Sequence, residues 1–350
     1  MGRGGQQAVS GAGRRAGVLL ANIGTPESPS TGDVRRYLGE FLMDARVIGM
    51  PFLARWLLVH GIILRTRPRK SAAAYRRIWT DRGSPLLLHG LALAEGMLRE
   101  MEGEIEDLAL GMRYGSPSIA SALDRLAERC AEILVVPLFP QHAASTSGSI
   151  SDAVAAWAAR RPAAPPIRVL PAFHGESGFL GAFAAVARPA LEECRPDRVL
   201  MSFHGLPESH LRAADPRCLR EGCCDAPGSG NRSCYRAQCF ATARALARRL
   251  GLGEDRYEVS FQSRLSRAWI RPFTDRRLRE LPGEGVRRLL VLCPSFVADC
   301  LETLEEIGIA GRDLFLAAGG EEFRLVSCPN ADPSWVAGLA AIVRSALERI

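Results

Sequence analysis

One histidine in a short apolar setting is the first residue of the chain that invites chemistry. His204 closes the run Arg198-Val-Leu-Met-Ser-Phe-His-Gly-Leu-Pro207, in which Val199, Leu200 and Met201 suit a buried parallel strand and Gly205 and Pro207 end it. An imidazole at the carboxyl end of such a strand faces the crevice where open α/β sheets bind ligands, and its ordinary pKa lies nearest neutrality. It is either a proton acceptor or a histidine that hydrogen-bonds a turn. A second group is acidic. In Asp299-Cys-Leu-Glu-Thr-Leu-Glu-Glu306, helical spacing aligns Asp299, Glu302 and Glu306 on one face and leaves Glu305 beside them. Such a row is either a solvated face that complements a helix dipole, or a stripe of hard oxygens that passes a divalent cation or protons toward a cavity. If the strand end and the row share one hollow, His204 and Glu302 form a metal site with open positions.

The third group is sulfur. Cys218, Cys223, Cys224, Cys234 and Cys239 crowd into one loop with Gly and Pro, at 215–239, ahead of a helix read over 236–250. In a reducing compartment such crowding asks for a metal rather than a disulfide framework. A 2Fe-2S centre takes four thiolates and leaves one surplus. Zinc is the lesser reading, because no C-x2-C pair is present. The surplus thiol is either one of the adjacent pair Cys223 and Cys224, which strain keeps from binding together, or Cys239. Cys130, Cys194, Cys293, Cys300 and Cys328 are dispersed in apolar segments and read as small buried hydrophobes.

These groups need elements to hold them. Apolar runs over 17–22, 107–112, 133–138 and 167–170 read as strands with helices between, and 199–203, 257–261, 289–293 and 323–326 repeat the plan. The fold class is therefore α/β, with two doubly wound four-stranded parallel-sheet lobes and a cleft between them. A chain of 350 residues suits two such lobes, at 17–175 and 176–350, the second carrying the Cys-rich insertion, after a flexible tail at 1–16. Ser30 with Asp33 resembles a capping box for a helix through Leu42, and a helix at 335–347 closes the chain. Tyr75 to Thr80 and Gly83 to Pro85 read as a loop before a helix that runs to Leu98.

Other classes fall away. No G-x-G-x-x-G follows the first strand and no G-x-x-x-x-G-K-[ST] occurs, which disfavours NAD and ATP. The formal charge of +7 comes from Arg scattered through helical segments, without the dense block or aromatic motif of a nucleic-acid binder. The tail lacks the apolar core of a secretory signal, so the cytoplasm is expected. The apolar stretch 47–64 carries Pro51, Arg55, His60 and Gly61. Its Phe52, Trp56, Leu57 and Ile63 are either core or an amphipathic lip that dips into a bilayer beside Arg65, Arg67, Arg69 and Lys70.

With these residues assembled the chain closely resembles the ferrochelatases, from about Gly17 to Val343. The likeness is carried by Leu20-Ala-Asn-Ile-Gly-Thr-Pro26, Met112-Arg-Tyr114, Pro140-Gln141 with Ser145-Thr-Ser-Gly148, Ser202-Phe-His-Gly-Leu-Pro207, Phe261-Gln-Ser-Arg264 and Asp299-Cys-Leu-Glu-Thr-Leu304. The resemblance implies insertion of Fe2+ into protoporphyrin IX or a close relative, with release of two protons. It implies that His204 and Glu302 are the inner metal pair, extended by Glu306 and Asp299, and that Ile23, Arg113, Tyr114 and Ser145 line the porphyrin cleft. It makes 50–64 a lip in peripheral contact with the inner face of the cell membrane, on a monomer or homodimer. Family members with a cluster often take one thiol from the Pro-Gln loop and three from a C-terminal extension. Here Ala143 and Ala144 occupy that loop, and the thiols of 218–239 resemble an internal cluster class of some bacterial members. The segment 263–269 is shorter than the usual pattern by about a residue. The alternatives are a cobalt or nickel chelatase of a related tetrapyrrole and a non-catalytic haem- or metal-sensing module.

Overall fold

Eight apolar runs become eight strands, and all of them pair in parallel. The computed structural model describes residues 15–216, 218–220, 222–224, 231 and 233–348; most of the N-terminal tail and part of the Cys-rich loop lie outside them. In the first half, strands β1 (Ala16–Gly24), β2 (Asp107–Tyr114), β3 (Glu132–Pro137) and β4 (Ile167–Val169) form a sheet in the order β2-β1-β3-β4. In the second half, β5 (Arg198–His204), β6 (Tyr257–Gln262), β7 (Arg288–Leu292) and β8 (Glu322–Leu325) form another in the order β6-β5-β7-β8. The two orders are the same. Val18 to Ala21 and Val199 to Phe203 are buried throughout, as parallel strands covered on both faces must be.

Helices α1 (Thr31–Leu42), α2 (Phe52–Leu58), α3 (Leu64–Ile78), α4 (Pro85–Glu100), α5 (Ile119–Ala127) and α6 (Ser149–Ala158) cover the first sheet. Helices α7 (Ser177–Cys194), α8 (Glu208–Ala214), α9 (Tyr235–Leu250), α10 (Thr274–Glu280), α11 (Arg312–Ala317) and α12 (Pro333–Glu348) cover the second. One apolar core runs from Val18 and Leu20 through Phe173, Phe179 and Phe183 to Trp335 and Val343. Helix α12 packs on α7 where Gly178 faces Gly338, and a Cβ on Gly178 would meet the Gly338 carbonyl oxygen at 2.4 Å. The same helix reaches back to α4, where Val336 lies against Gly96, and Arg344 pairs with Glu104 at 2.7 Å.

Three local expectations are revised. Ser30 does accept the Asp33 N–H, at 3.1 Å. The Asp33 carboxylate, however, takes the Ser28 hydroxyl and the Ser30 N–H turns to Ser28, so the reciprocal arm of the capping box is replaced. Tyr75 to Ile78 form the last turn of α3 rather than a loop, because Tyr75 and Ile78 continue its buried stripe. The larger revision concerns 50–64. Phe52, Leu53, Trp56, Leu57 and Ile62 face outward, with Phe52 at 65% and Leu53 at 67% exposure. Arg55 turns inward, as Val59 and Leu64 do, and its Nη1 donates to the carbonyls of Ile48 and Met50 at 3.1 and 2.7 Å. The core reading of Phe52, Trp56 and Leu57 is therefore wrong: the backbone carbonyls left at the end of the preceding turn claim the guanidinium, which rotates the apolar stripe to the surface.

Candidate active site

In each sheet the strand at the point where the order reverses is the first in sequence, β1 in one and β5 in the other. Ligands of open parallel sheets bind outside the carboxyl ends of strands at that point. The residues delivered there are Ile23 and His204.

His204 is held by its own backbone. Its N–H donates to Ser295 Oγ at 3.1 Å and its carbonyl accepts the Tyr235 hydroxyl at 2.7 Å. Its Nδ1 lies 2.6 Å from the Gly205 carbonyl oxygen. A carbonyl only accepts, so this contact assigns the proton to Nδ1 and leaves Nε2 a free lone pair. Phe296 and Trp269 flank the imidazole at 6.2 and 6.4 Å between ring centres. Gly205 is required here, since a Cβ would come within 2.6 Å of the Gln262 carbonyl oxygen.

The acidic row sits on a π-helical stretch, Leu301–Gly311. Its i→i+5 turns are wider than those of an α-helix, and Asp299 precedes it. That corrects the single-face expectation. Asp299 is a buried tie that accepts the Thr303 hydroxyl at 3.0 Å and the Asn330 amide at 2.8 Å, and so fixes the start of the helix. Glu305 turns outward to Arg77 of α3 at 2.8 Å. Glu306 turns inward, where its carboxylate accepts the backbone N–H and hydroxyl of Ser263 at 2.6 and 2.5 Å. Burial pushes the Glu306 carboxyl up; the Ser263 hydrogen bonds and the His204 imidazole oppose this, and the Glu302 charge adds to it. His204, Glu302 and Glu306 thus share one electrostatic environment. Gln262 locks it: level with His204 in the sheet register, it donates to the Glu302 carbonyl at 2.8 Å and accepts the Ser202 hydroxyl at 2.8 Å. Beyond Glu306 lies a polar recess lined by Gln262, Ser263, Arg264 and Asp275.

The first lobe supplies the facing wall. Ile23 packs against Leu86, Ala298 and Cys300, the same apolar cluster that receives Phe296, which flanks His204. Tyr37 of α1 donates to the Gly24 carbonyl at 3.1 Å. Burial pushes the phenols of Tyr37 and Tyr75 up; the Glu302 charge adds to this next at Tyr37, and at Tyr75 after the Tyr37 phenol. The sequence singled out neither phenol for a role; their closeness to Glu302 is tertiary.

Arg113 and Tyr114 converge on a residue the sequence did not single out. The Asp44 carboxylate accepts Arg113 Nη2 at 2.6 Å, the Tyr114 hydroxyl at 2.8 Å and the Ser149 hydroxyl at 2.5 Å. Burial opposes ionisation of Asp44, but the Ser149 hydroxyl, the Arg46 N–H, Tyr114 and the Arg113 charge hold its carboxyl below the usual range. The guanidinium stacks 4.7 Å above the Tyr114 ring and stays partly exposed. Ser145 lies in the π-helical turn Ala144–Gly148 that leads into Ser149.

Four of the five clustered thiols gather at the start of α9. Cys218 Sγ and Cys234 Sγ are 3.4 Å apart, and Cys223 Sγ and Cys224 Sγ 3.7 Å. The sulfurs of the adjacent pair thus lie side by side. The Cys224 thiol's hydrogen bond, with help from backbone N–H groups of the helix start, outweighs burial and draws the Cys234 thiol down to about 5. Cys239 lies within the helix, fully buried beneath Tyr235. The five dispersed cysteines are buried as expected. Among the described residues no three His, Cys, Asp or Glu side chains are grouped to hold one metal ion as they stand.

The ferrochelatase family model matches residues 15–347. The chain belongs to the ferrochelatase family. It is 44% identical over 343 residues to a ferrochelatase of Coxiella burnetii, covering 95% of this chain and 94% of that one. It is 48% identical over 336 residues to that of Azotobacter vinelandii, covering 94% and 98%. The fold is also that of SirB from Bacillus subtilis with Fe3+, at a TM-score of 0.56 and 13% identity over 95% of each chain. The protein is thus a porphyrin metal-insertion enzyme of haem synthesis, whose substrates are ferrous iron and protoporphyrin. No described helix is long and apolar enough to cross a membrane.

Proposed function

We propose that the cleft divides insertion between its two walls. A porphyrin gives up two pyrrole protons as it gains Fe2+, so a base must face the macrocycle while the cation sheds water. His204 Nε2 is the acceptor, its tautomer fixed by Gly205. Glu302 and Glu306 would replace waters on the arriving iron, which leave to solvent, or carry the protons outward to the recess at Ser263 and Asp275. Asp299 anchors this path rather than joining it. Ile23 with the Tyr37 side supplies the apolar face, and Arg113, Tyr114 and Ser145 meet the polar edge of the macrocycle. The observation that carries this reading is that Gln262, level with His204 in the sheet register, donates to the Glu302 carbonyl, while the next residue, Ser263, binds the Glu306 carboxylate. Replacing His204 by Ala and following porphyrin fluorescence checks it: binding without metalation is expected, and near-normal turnover would remove His204 from the mechanism.

The thiol group suits a 2Fe-2S centre held by Cys218, Cys223, Cys224 and Cys234, with Cys239 the spare. Two thiolates on one tetrahedral metal, with bonds of roughly 2.3 Å, sit roughly 3.8 Å apart. The Cys218–Cys234 and Cys223–Cys224 sulfurs approach that spacing, and the Cys224–Cys234 contact joins them into one group of four. Bound there, the centre supplies a covalent staple and a one-electron redox couple. A colourless, zinc-stoichiometric preparation after anaerobic purification would sink this assignment. The outward apolar face of 50–64, with the basic run at 65–70, suits peripheral contact with an anionic membrane in the cytoplasm. The lobes are assigned to 17–175 and 176–350.

A further inference from the structure

Cys234 is the N-cap of α9, and Tyr235 is the helix's first residue. The Tyr235 hydroxyl donates to the His204 carbonyl at 2.7 Å and lies 3.2 Å from Ser295 Oγ. Ser295 Oγ in turn accepts the His204 N–H at 3.1 Å. Both backbone polar groups of the candidate base therefore hang on one buried phenol that follows a clustered thiol by a single residue. The same helix clasps the opposite wall: Gln238 accepts the His142 N–H at 2.7 Å. Thr242 takes the Gln141 amide at 3.1 Å and donates to the His174 carbonyl at 3.0 Å. The loop that begins at His142 leads to Ser145.

We infer that Tyr235 is a positioning residue through which the state of the thiol group reaches His204. This rests on the reading of His204 as the base and of the four thiols as a metal centre. When metal holds Cys218 and Cys234, the first residue of α9 is fixed and the Tyr235 hydroxyl holds the His204 peptide at the depth the macrocycle requires. When the metal is gone, the thiols tie the helix start only by weak S–H contacts, beside the Cys234 N–H bond to the Asn231 carbonyl at 2.9 Å, and the imidazole loosens in its registration. No electron need pass; the coupling is mechanical, through hydrogen bonds too short to stretch.

The experiment uses the full chain with its thiol site loaded by ferric iron and sulfide and then desalted of unbound iron, or stripped by a chelator under reducing conditions. The imidazole nitrogens of His204, labelled with 15N, are followed by NMR at one pH in both states. In the native chain the His204 resonances shift on stripping; in Tyr235→Phe they do not. In kinetics, Tyr235→Phe lowers kcat about tenfold with porphyrin Kd changed less than about twofold, as for lost positioning. Cys218→Ser lowers kcat similarly, and the double variant is no worse than the poorer single one, as for residues acting in one chain. A His204 signal indifferent to stripping in the native chain, or additive effects, would overturn the inference. If Tyr235→Phe does not fold, Ser295→Ala removes the arm that runs through the His204 N–H and must diminish the shift; an undiminished shift overturns the inference. Full activity of His204→Ala would instead remove the underlying reading of the base.

Discussion

Strands β1 and β5 hold the same place in two sheets of the same order, yet one brings Ile23 to its carboxyl end and the other His204. A parallel sheet opens a crevice at the reversal point whatever side chain arrives there. What differs is the support. Behind Ile23 the neighbours are apolar, with Leu86, Ala298 and Cys300 packed round it. Behind His204 lies a polar frame of Ser295, Tyr235, Gln262 and Ser263 that aims one ring nitrogen and one carboxylate. Duplicated architecture thus gives one wall that receives a flat apolar ligand and one that handles charge.

The sharpest way to break the contrast is to exchange effects between the walls. His204→Ala is expected to lower kcat by about a thousandfold, within the range of general-base losses, and to leave porphyrin affinity nearly intact. Glu302→Gln or Glu306→Gln is expected to cost about a hundredfold in kcat, read by steady-state loss of porphyrin fluorescence. Ile23→Ala should do the reverse, raising KM several-fold, for about 1 kcal/mol of lost apolar contact, with kcat little changed. A kcat effect from Ile23 equal to that from His204 would erase the division.

Asp44 sharpens the first wall further. Its carboxyl titrates lower in the folded chain than when unfolded. Its contribution to stability is therefore complete above the ordinary value of about 3.9 and fades as pH falls through the lower folded value. Asp44→Asn leaves Arg113 without its counter-charge and should cost roughly 1–3 kcal/mol near neutrality. The deficit should shrink in acid, as thermal melts across pH 3 to 7 will show. An equal deficit at every pH would remove the carboxylate from that account. The smallest effect on turnover belongs to the lip. Phe52→Glu with Trp56→Glu should weaken binding to anionic vesicles about tenfold while detergent-solubilised porphyrin is metalated as before.

The strands were legible because burial on both faces demands unbroken apolar runs, and Val199 to Phe203 or Leu289 to Leu292 can be little else. His204 was legible as a strand end, and Glu302 and Glu306 as an acidic pair on one helix. Asp299 was misplaced because the i→i+5 turns that start after Cys300 leave no mark in residue spacing. The outward turn of Phe52 and Trp56 was open for a similar reason: hydropathy measures how apolar a stripe is, and the carbonyls that drew Arg55 inward belong to Ile48 and Met50. Asp44 escaped altogether. Its partners Arg113 and Ser149 lie 69 and 105 residues away, and a lone aspartate after a helix carries no local signal.

Anaerobic titration of His204→Ala with protoporphyrin, followed by addition of Fe2+ in the same cuvette, separates the two walls in one measurement. Porphyrin should bind with near-normal affinity and its fluorescence should then persist after iron is added. Fluorescence lost at close to the native rate would show that the proton acceptor lies elsewhere.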